Sequence, residues 1–127
     1  MATFVTGQVL TAAQMNSIAN LTVRAVTTTS DTFVTADADN KLITYSNTGT
    51  TTVTIPPNSS VAITTGSVLN LIKIGSAGTV SITQGAGVTI ASTGVTSTNP
   101  TITKTFGAVS CIKVNTDSWY VVGRVAE

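Results

Sequence analysis

Thr51-Thr52-Val53-Thr54-Ile55 and, further along, Thr79-Val80-Ser81-Ile82-Thr83 alternate hydroxyl and apolar side chains. The period of two belongs to an extended chain, whose successive side chains leave on opposite faces. Val53 and Ile55, like Val80 and Ile82, therefore share an apolar side, while Thr52, Thr54, Ser81 and Thr83 form a hydroxyl side where partners can lie. Val and Thr also favour this state intrinsically. Branching at Cβ costs rotamer freedom in a helix and packs well on a pleated surface.

Working outward, the same period predicts strands over 22–29, 41–46, 51–55, 67–74, 79–83, 88–91, 101–105, 108–114 and 119–125. Turn chemistry separates them at Asn47-Thr48-Gly49, Pro56-Pro57-Asn58, Gly75-Ser76-Ala77-Gly78, Gly85-Ala86-Gly87 and Asn115-Thr116-Asp117. Turns at intervals of about 8–12 residues mark a sandwich or barrel. The expectation is an all-β domain over residues 22–127, an antiparallel β-sandwich or barrel. Gly85-Ala86-Gly87 lacks the third glycine and the following helix of a phosphate cradle, and reads as a hairpin turn. The Ser/Thr-rich stretch 93–100 reads as a surface loop.

Upstream of the strands lies one short helix. Thr11-Ala12-Ala13-Gln14 fits a capping box, with Leu10 placed as a staple and Met15 and Ile18 on one face, which predicts a helix over 12–20. So short a helix is not stable alone and must dock. Residues 1–21 are therefore expected to form an N-terminal arm, with Phe4, Val9, Leu10, Met15 and Ile18 as its partner-docking residues.

The 127-residue chain is long enough for one core. Only 9% of residues are charged, against about 25% in ordinary domains, and 27 Thr and 12 Ser carry the polarity instead. The six cationic residues are scattered singly, so no stripe exists to follow a phosphate backbone and nucleic acid is not an expected partner. The longest nearly apolar run, 68–74, is interrupted by Asn70 and Lys73 and falls short of the ~20 residues of a membrane span. Met1 to Gly7 has no basic residue and no sustained apolar stretch, so no secretory signal is expected.

The side-chain inventory argues against catalysis. Histidine is absent, which removes the commonest general base and most zinc and copper sites. Cys111 is the only cysteine; it stands in an alternating apolar stretch and reads as a buried small hydrophobe. Among the five acids only Asp37 and Asp39 are neighbours. Asp37-Ala38-Asp39-Asn40 reads as a polar turn bonded to its own backbone, because no further ligand completes a Ca²⁺ loop. The expectation is no enzyme, no cofactor and no metal. Trp119 shares parity with Val121 and Val125 and is read as core; a sugar-binding platform would have to come from Phe33, Tyr45, Phe106, Trp119 or Tyr120.

Two stretches carry a resemblance. Phe4-Val5-Thr6-Gly7-Gln8-Val9-Leu10-Thr11-Ala12-Ala13-Gln14-Met15-Asn16 resembles the N-terminal element of many tailed-bacteriophage structural proteins. Asp39-Asn40-Lys41-Leu42-Ile43, Val53-Thr54-Ile55-Pro56-Pro57-Asn58-Ser59-Ser60, Gly66-Ser67-Val68-Leu69-Asn70-Leu71-Ile72, Gly85-Ala86-Gly87-Val88-Thr89-Ile90 and Trp119-Tyr120-Val121-Val122-Gly123 follow in the order of a small β-domain repeated across phage tail, fibre and head-accessory proteins. The resemblance implies a virion structural module made in the bacterial cytoplasm, commonly trimeric and without an active site. A module behind a short arm, with no fibre repeat, suits a homotrimeric capsid decoration or cement protein, with the major capsid or tail protein as its neighbour. The alternatives are a tail or tail-fibre component with an adsorption role, and a carbohydrate-binding module on host-surface glycan.

Overall fold

The structure is a computed structural model and describes residues 21–39, 41–92 and 99–126. The arm residues Phe4, Val9, Leu10, Met15 and Ile18, and the stretch 93–98, lie outside the described residues.

The chain climbs in flattened coils. β1 (Thr22–Val26), β3 (Lys41–Tyr45) and β5 (Val68–Lys73) lie side by side and parallel in one sheet, and β2 (Ser30–Thr32), β4 (Thr51–Ile55) and β6 (Val80–Gln84) do the same in the other. After these coils β7 (Thr89–Ser92), β8 (Thr101–Ile102), β9 (Ala108–Asn115) and β10 (Ser118–Gly123) complete the sheets. The larger sheet has the order β1-β3-β5-β9-β10-β7 and the smaller β2-β4-β6-β8.

The all-β sandwich expected from the sequence is the fold that forms, but its sheets are mixed rather than antiparallel. From β1 to β6 consecutive strands pass to opposite sheets, so the next strand in the same sheet returns in the same direction, whereas β8 and β9 pair antiparallel with β6 and β5. Parallel pairing needs a crossover, usually a helix; here the crossover is a strand of the facing sheet. The turn residues at Asn47-Thr48-Gly49 and Gly75-Ser76-Ala77-Gly78 mark corners between sheets, and the same residue types build hairpins. Gly85-Ala86-Gly87 is likewise a corner, from β6 to β7, and not the hairpin expected. Asn115-Thr116-Asp117 does close a hairpin, between β9 and β10.

The corners stack on one another. Asn47 donates from Nδ2 to the Thr27 carbonyl at 2.7 Å, and its Oδ1 accepts from the Gly49 amide at 2.7 Å. On the next coil Gly78 has φ +78°, and a Cβ there would lie 2.3 Å from the Gly49 carbonyl oxygen, so only glycine allows that approach.

Inside, the alternation does what the sequence requires. Val53, Ile55, Val80 and Ile82 from the smaller sheet meet Ile43, Leu69, Leu71 and Val121 from the larger, all buried. Fully burying a side chain of this size contributes about 1.5–3 kcal/mol. Trp119 is core, as expected, with its ring 6.2 Å from that of Phe33. Strand β2 was not foreseen, because Ser30-Asp31-Thr32 has no apolar member; β8 is shorter than the 101–105 expected.

Candidate functional site

The chemistry-bearing side chains are used to close the sandwich. Arg24 points inward from the edge strand β1 and forks onto Asp31 of β2, with Nη1 on Oδ1 and Nη2 on Oδ2, both at 2.8 Å. It also reaches Asp37, Nε to Oδ1 at 2.9 Å and Nη2 to Oδ2 at 3.1 Å. Tyr45 donates its hydroxyl to Asp31 Oδ2 at 2.9 Å, and the Val34 amide donates to Asp37 Oδ2 at 2.9 Å. Every oxygen of both carboxylates therefore has a donor. The hydrogen bond to Asp31 holds the Arg24 proton more firmly than usual, and burial, with Asp31 beside it, pushes the Tyr45 hydroxyl well above the usual range for tyrosine.

The reading of Asp37 as a turn residue bonded to its own backbone holds, through the Val34 amide, in a 3-10 turn, Thr35–Ala38. It was incomplete: Asp37 is fully buried and also pairs with an arginine on a different element. Nothing in the spacing of Arg24 and Asp37 along the chain could show this, since the pair meets only through coil stacking. Among the described residues no three metal-ligating side chains converge.

Two lysines are buried as well. Lys113 donates from Nζ to Asn58 Oδ1 at 2.8 Å and to the Ile63 carbonyl at 2.5 Å, while the Asn58 amide donates to Asp117 Oδ1 at 2.7 Å. At the opposite end of the sheet Lys73 Nζ donates to the Gly75 carbonyl at 2.5 Å, and Thr105 Oγ1 donates to the same oxygen at 3.0 Å. Both stems lie on the apolar inner face and their heads seal loops at the two ends. Cys111 is buried, and burial pushes its thiol up to about 12. A thiol so protonated is not a nucleophile at neutral pH.

The aromatic platform is largely dismantled by the fold, because Phe33, Tyr45 and Trp119 lie in the core. Tyr120 and Phe106 remain exposed. Phe106 has φ +62°, a left-handed backbone unusual for so bulky a residue.

What remains is the pair of outer sheet faces, and they differ. The smaller sheet presents hydroxyls in register: Ser30, Thr52, Ser81 and Thr101 form one row across four strands, and Thr32, Thr54 and Thr83 the next. Thr54 and Thr83 hydrogen-bond to each other at 3.3 Å.

The larger sheet presents three rows without a charged residue. Ala25, Thr44, Ile72 and Ala108 form the first. Val23, Leu42, Asn70, Ser110 and Val122 form the second. Val68, Ile112, Tyr120 and Ala91 form the third. Val23, Val68, Tyr120 and Val122 are exposed although large and apolar. The two polar groups at the centre satisfy each other, Ser110 Oγ donating to Asn70 Oδ1 at 2.8 Å.

The sequence reading, focused on alternation, pointed to the hydroxyl side as the place for partners and missed this apolar face. The signal was available in Val68-Leu69-Asn70-Leu71-Ile72 and Trp119-Tyr120-Val121-Val122, where both parities are apolar. Such runs mark strands covered on both faces.

No family model, curated protein or solved structure matches the chain. No helix among the described residues is long and apolar enough to cross a membrane.

Proposed function

We propose that the chain is a structural module of a tailed-phage particle, a homotrimer that decorates or cements the capsid surface. The observation that carries this reading is the outer face of the larger sheet, which is uncharged in its named rows and exposes large apolar groups as far as Val68 and Tyr120 of the third row. A surface with few charges and an apolar sheet face is suited to burial between copies, as in obligate interfaces. The order of phage-like segments along the chain supplies the virion context. Asp31, Asp37, Asp117, the Cys111 thiol and the buried Lys73 and Lys113 amines are engaged in holding the fold, which favours an assembly role over a catalytic one.

Sedimentation velocity of the purified chain at micromolar concentration tests the self-association. The expected species has three times the 12.9 kDa protomer mass, and Tyr120→Asp, which sets a charge in the third row, reduces it to monomer. A wild-type monomer that is also absent from particles produced with the flanking structural genes would refute the proposal. Binding to a glycan array lost in Tyr120→Ala would favour the carbohydrate-binding reading instead.

A further inference from the structure

The apolar face of the larger sheet contains a shallow groove of about 480 Å³ running from β3 to β10, lined by Leu42, Asn70, Ile72, Ser110 and Val122, with Leu21, just ahead of β1, at its rim. We propose that the occupant of this groove is residues 1–20 of the same chain, laid across the strands. The proposal deepens the assembly reading by naming what covers this part of the face, and it does not depend on the trimer.

The first argument is where the chain enters. Leu21, the first described residue, is 55% exposed and already lines the groove. No linker is needed to bring the preceding residues there, and a segment tethered at the rim has an effective concentration of order mM for its own groove. A segment from another molecule would have to compete with that.

The second argument is chemical match. No charged side chain occurs from Met1 to Val23, and Phe4, Val9, Leu10, Met15 and Ile18 supply large apolar groups. The groove floor carries no charge either, and its only two polar side chains, Asn70 and Ser110, are bonded to each other. An uncharged segment can cover this floor without stranding an unpaired polar side chain.

The third argument is size. Three inter-strand gaps of ~4.8 Å, from β3 to β10, make a groove about 14 Å long, and the helix expected over 12–20 would be about 14 Å long at 1.5 Å per residue. That helix, directly joined to Leu21, would span most of the groove. Residues 1–11 have ample reach to cover the rest. Seated in this way, the segment covers the first two rows and leaves Val68, Ile112 and Tyr120 open to a neighbouring copy.

Hydrogen exchange of the full-length chain, read by mass spectrometry of peptides from 1–20, tests the assignment. In the wild type, exchange in this region is expected to be at least about ten-fold slower than in an unstructured chain, and equally slow at about 1 and 100 µM, as an intramolecular contact requires. Val122→Asp, at an exposed position on the groove floor, should abolish the protection while the peptides of β3, β5 and β9 stay protected. Tyr120→Asp, outside the groove, should leave it intact while breaking the trimer, so the two readings fail separately. As a second measurement, Ile18→Cys with Leu42→Cys, on the neighbouring strand β3, should cross-link within one chain under oxidation. Unprotected residues 1–20 in the wild type would overturn the proposal. So would protection that vanishes on dilution, or a cross-link that forms only between chains, since either assigns the groove to another copy.

Discussion

Replacing Asp37 by Ala probes how the edge of the sandwich is closed. The substitution removes two contacts with Arg24, at 2.9 and 3.1 Å, and one with the Val34 amide, at 2.9 Å. Breaking a buried ion pair by deleting one partner costs about 3–5 kcal/mol, because the remaining charge is left without compensation. Two features place this case at the lower end. Arg24 keeps its fork to Asp31, and its side chain is 26% exposed, so water can reach the freed edge of the guanidinium. The Val34 amide belongs to an exposed residue and can also be hydrated. The expected loss is therefore about 3 kcal/mol, against ~1 kcal/mol for an aspartate that only caps a turn.

Urea unfolding reports the loss through Trp119, the only tryptophan and a buried one. With a slope of about 1.5 kcal/mol per M, the midpoint should fall by about 2 M. Wild type and variant are compared at one protein concentration, since self-association makes stability depend on it. The double variant Arg24→Ala with Asp37→Ala should cost less than the sum of the single changes, as coupled residues do. A midpoint shift below about 0.5 M, or strict additivity with Arg24→Ala, would refute the assignment of Asp37 to the closing ion cluster and return it to an ordinary turn.

Two further outcomes follow from the buried groups and the strained backbone. Cys111 and Tyr45 both ionise at higher pH in the fold than in the unfolded chain, where ordinary values are about 8.5 and 10. The unfolded state therefore binds fewer protons at alkaline pH, and stability present at neutral pH falls above about 9 and more steeply above about 10, by up to ~1.4 kcal/mol per pH unit per group. Cys111→Ala should remove the earlier limb of that decline in urea titrations; stability flat up to about pH 11 would contradict the linkage. Phe106→Asn replaces a bulky residue at φ +62° with one that tolerates the left-handed region, and little burial is lost because Phe106 is exposed. A gain of about 0.5–1 kcal/mol, or a rise of about 3 °C in Tm, is expected; an unchanged or lower Tm would remove the claim of strain.

The strands were legible where one face is apolar and the other hydroxylic. Thr51–Ile55 was read to the residue because Val53 and Ile55 alternate with threonines, and period two has one structural meaning. The burial of Trp119 and Cys111 followed from the same parity. Strand β2 was not legible, since Ser30-Asp31-Thr32 gains its place from pairing with β4 and from the Asp31–Arg24 contact. The apolar outer face was half legible, in strands apolar at both parities.

By itself, then, the sequence determined the local state of the chain: extended segments, their inward sides, and the turns between them. These depend on each residue and its near neighbours, through backbone sterics and the alternation of side chains. Only the tertiary structure decided that the turns are corners and the sheets mixed, because a turn residue sets a bend and not the sheet to which the next strand goes. Only the tertiary structure brought Arg24 to Asp31, Asp37 and Tyr45, and lined up Val23, Leu42, Asn70, Ser110 and Val122 across five strands. Those neighbours are set by inter-strand register, which arises from the packing of the whole core and leaves no local trace along the chain.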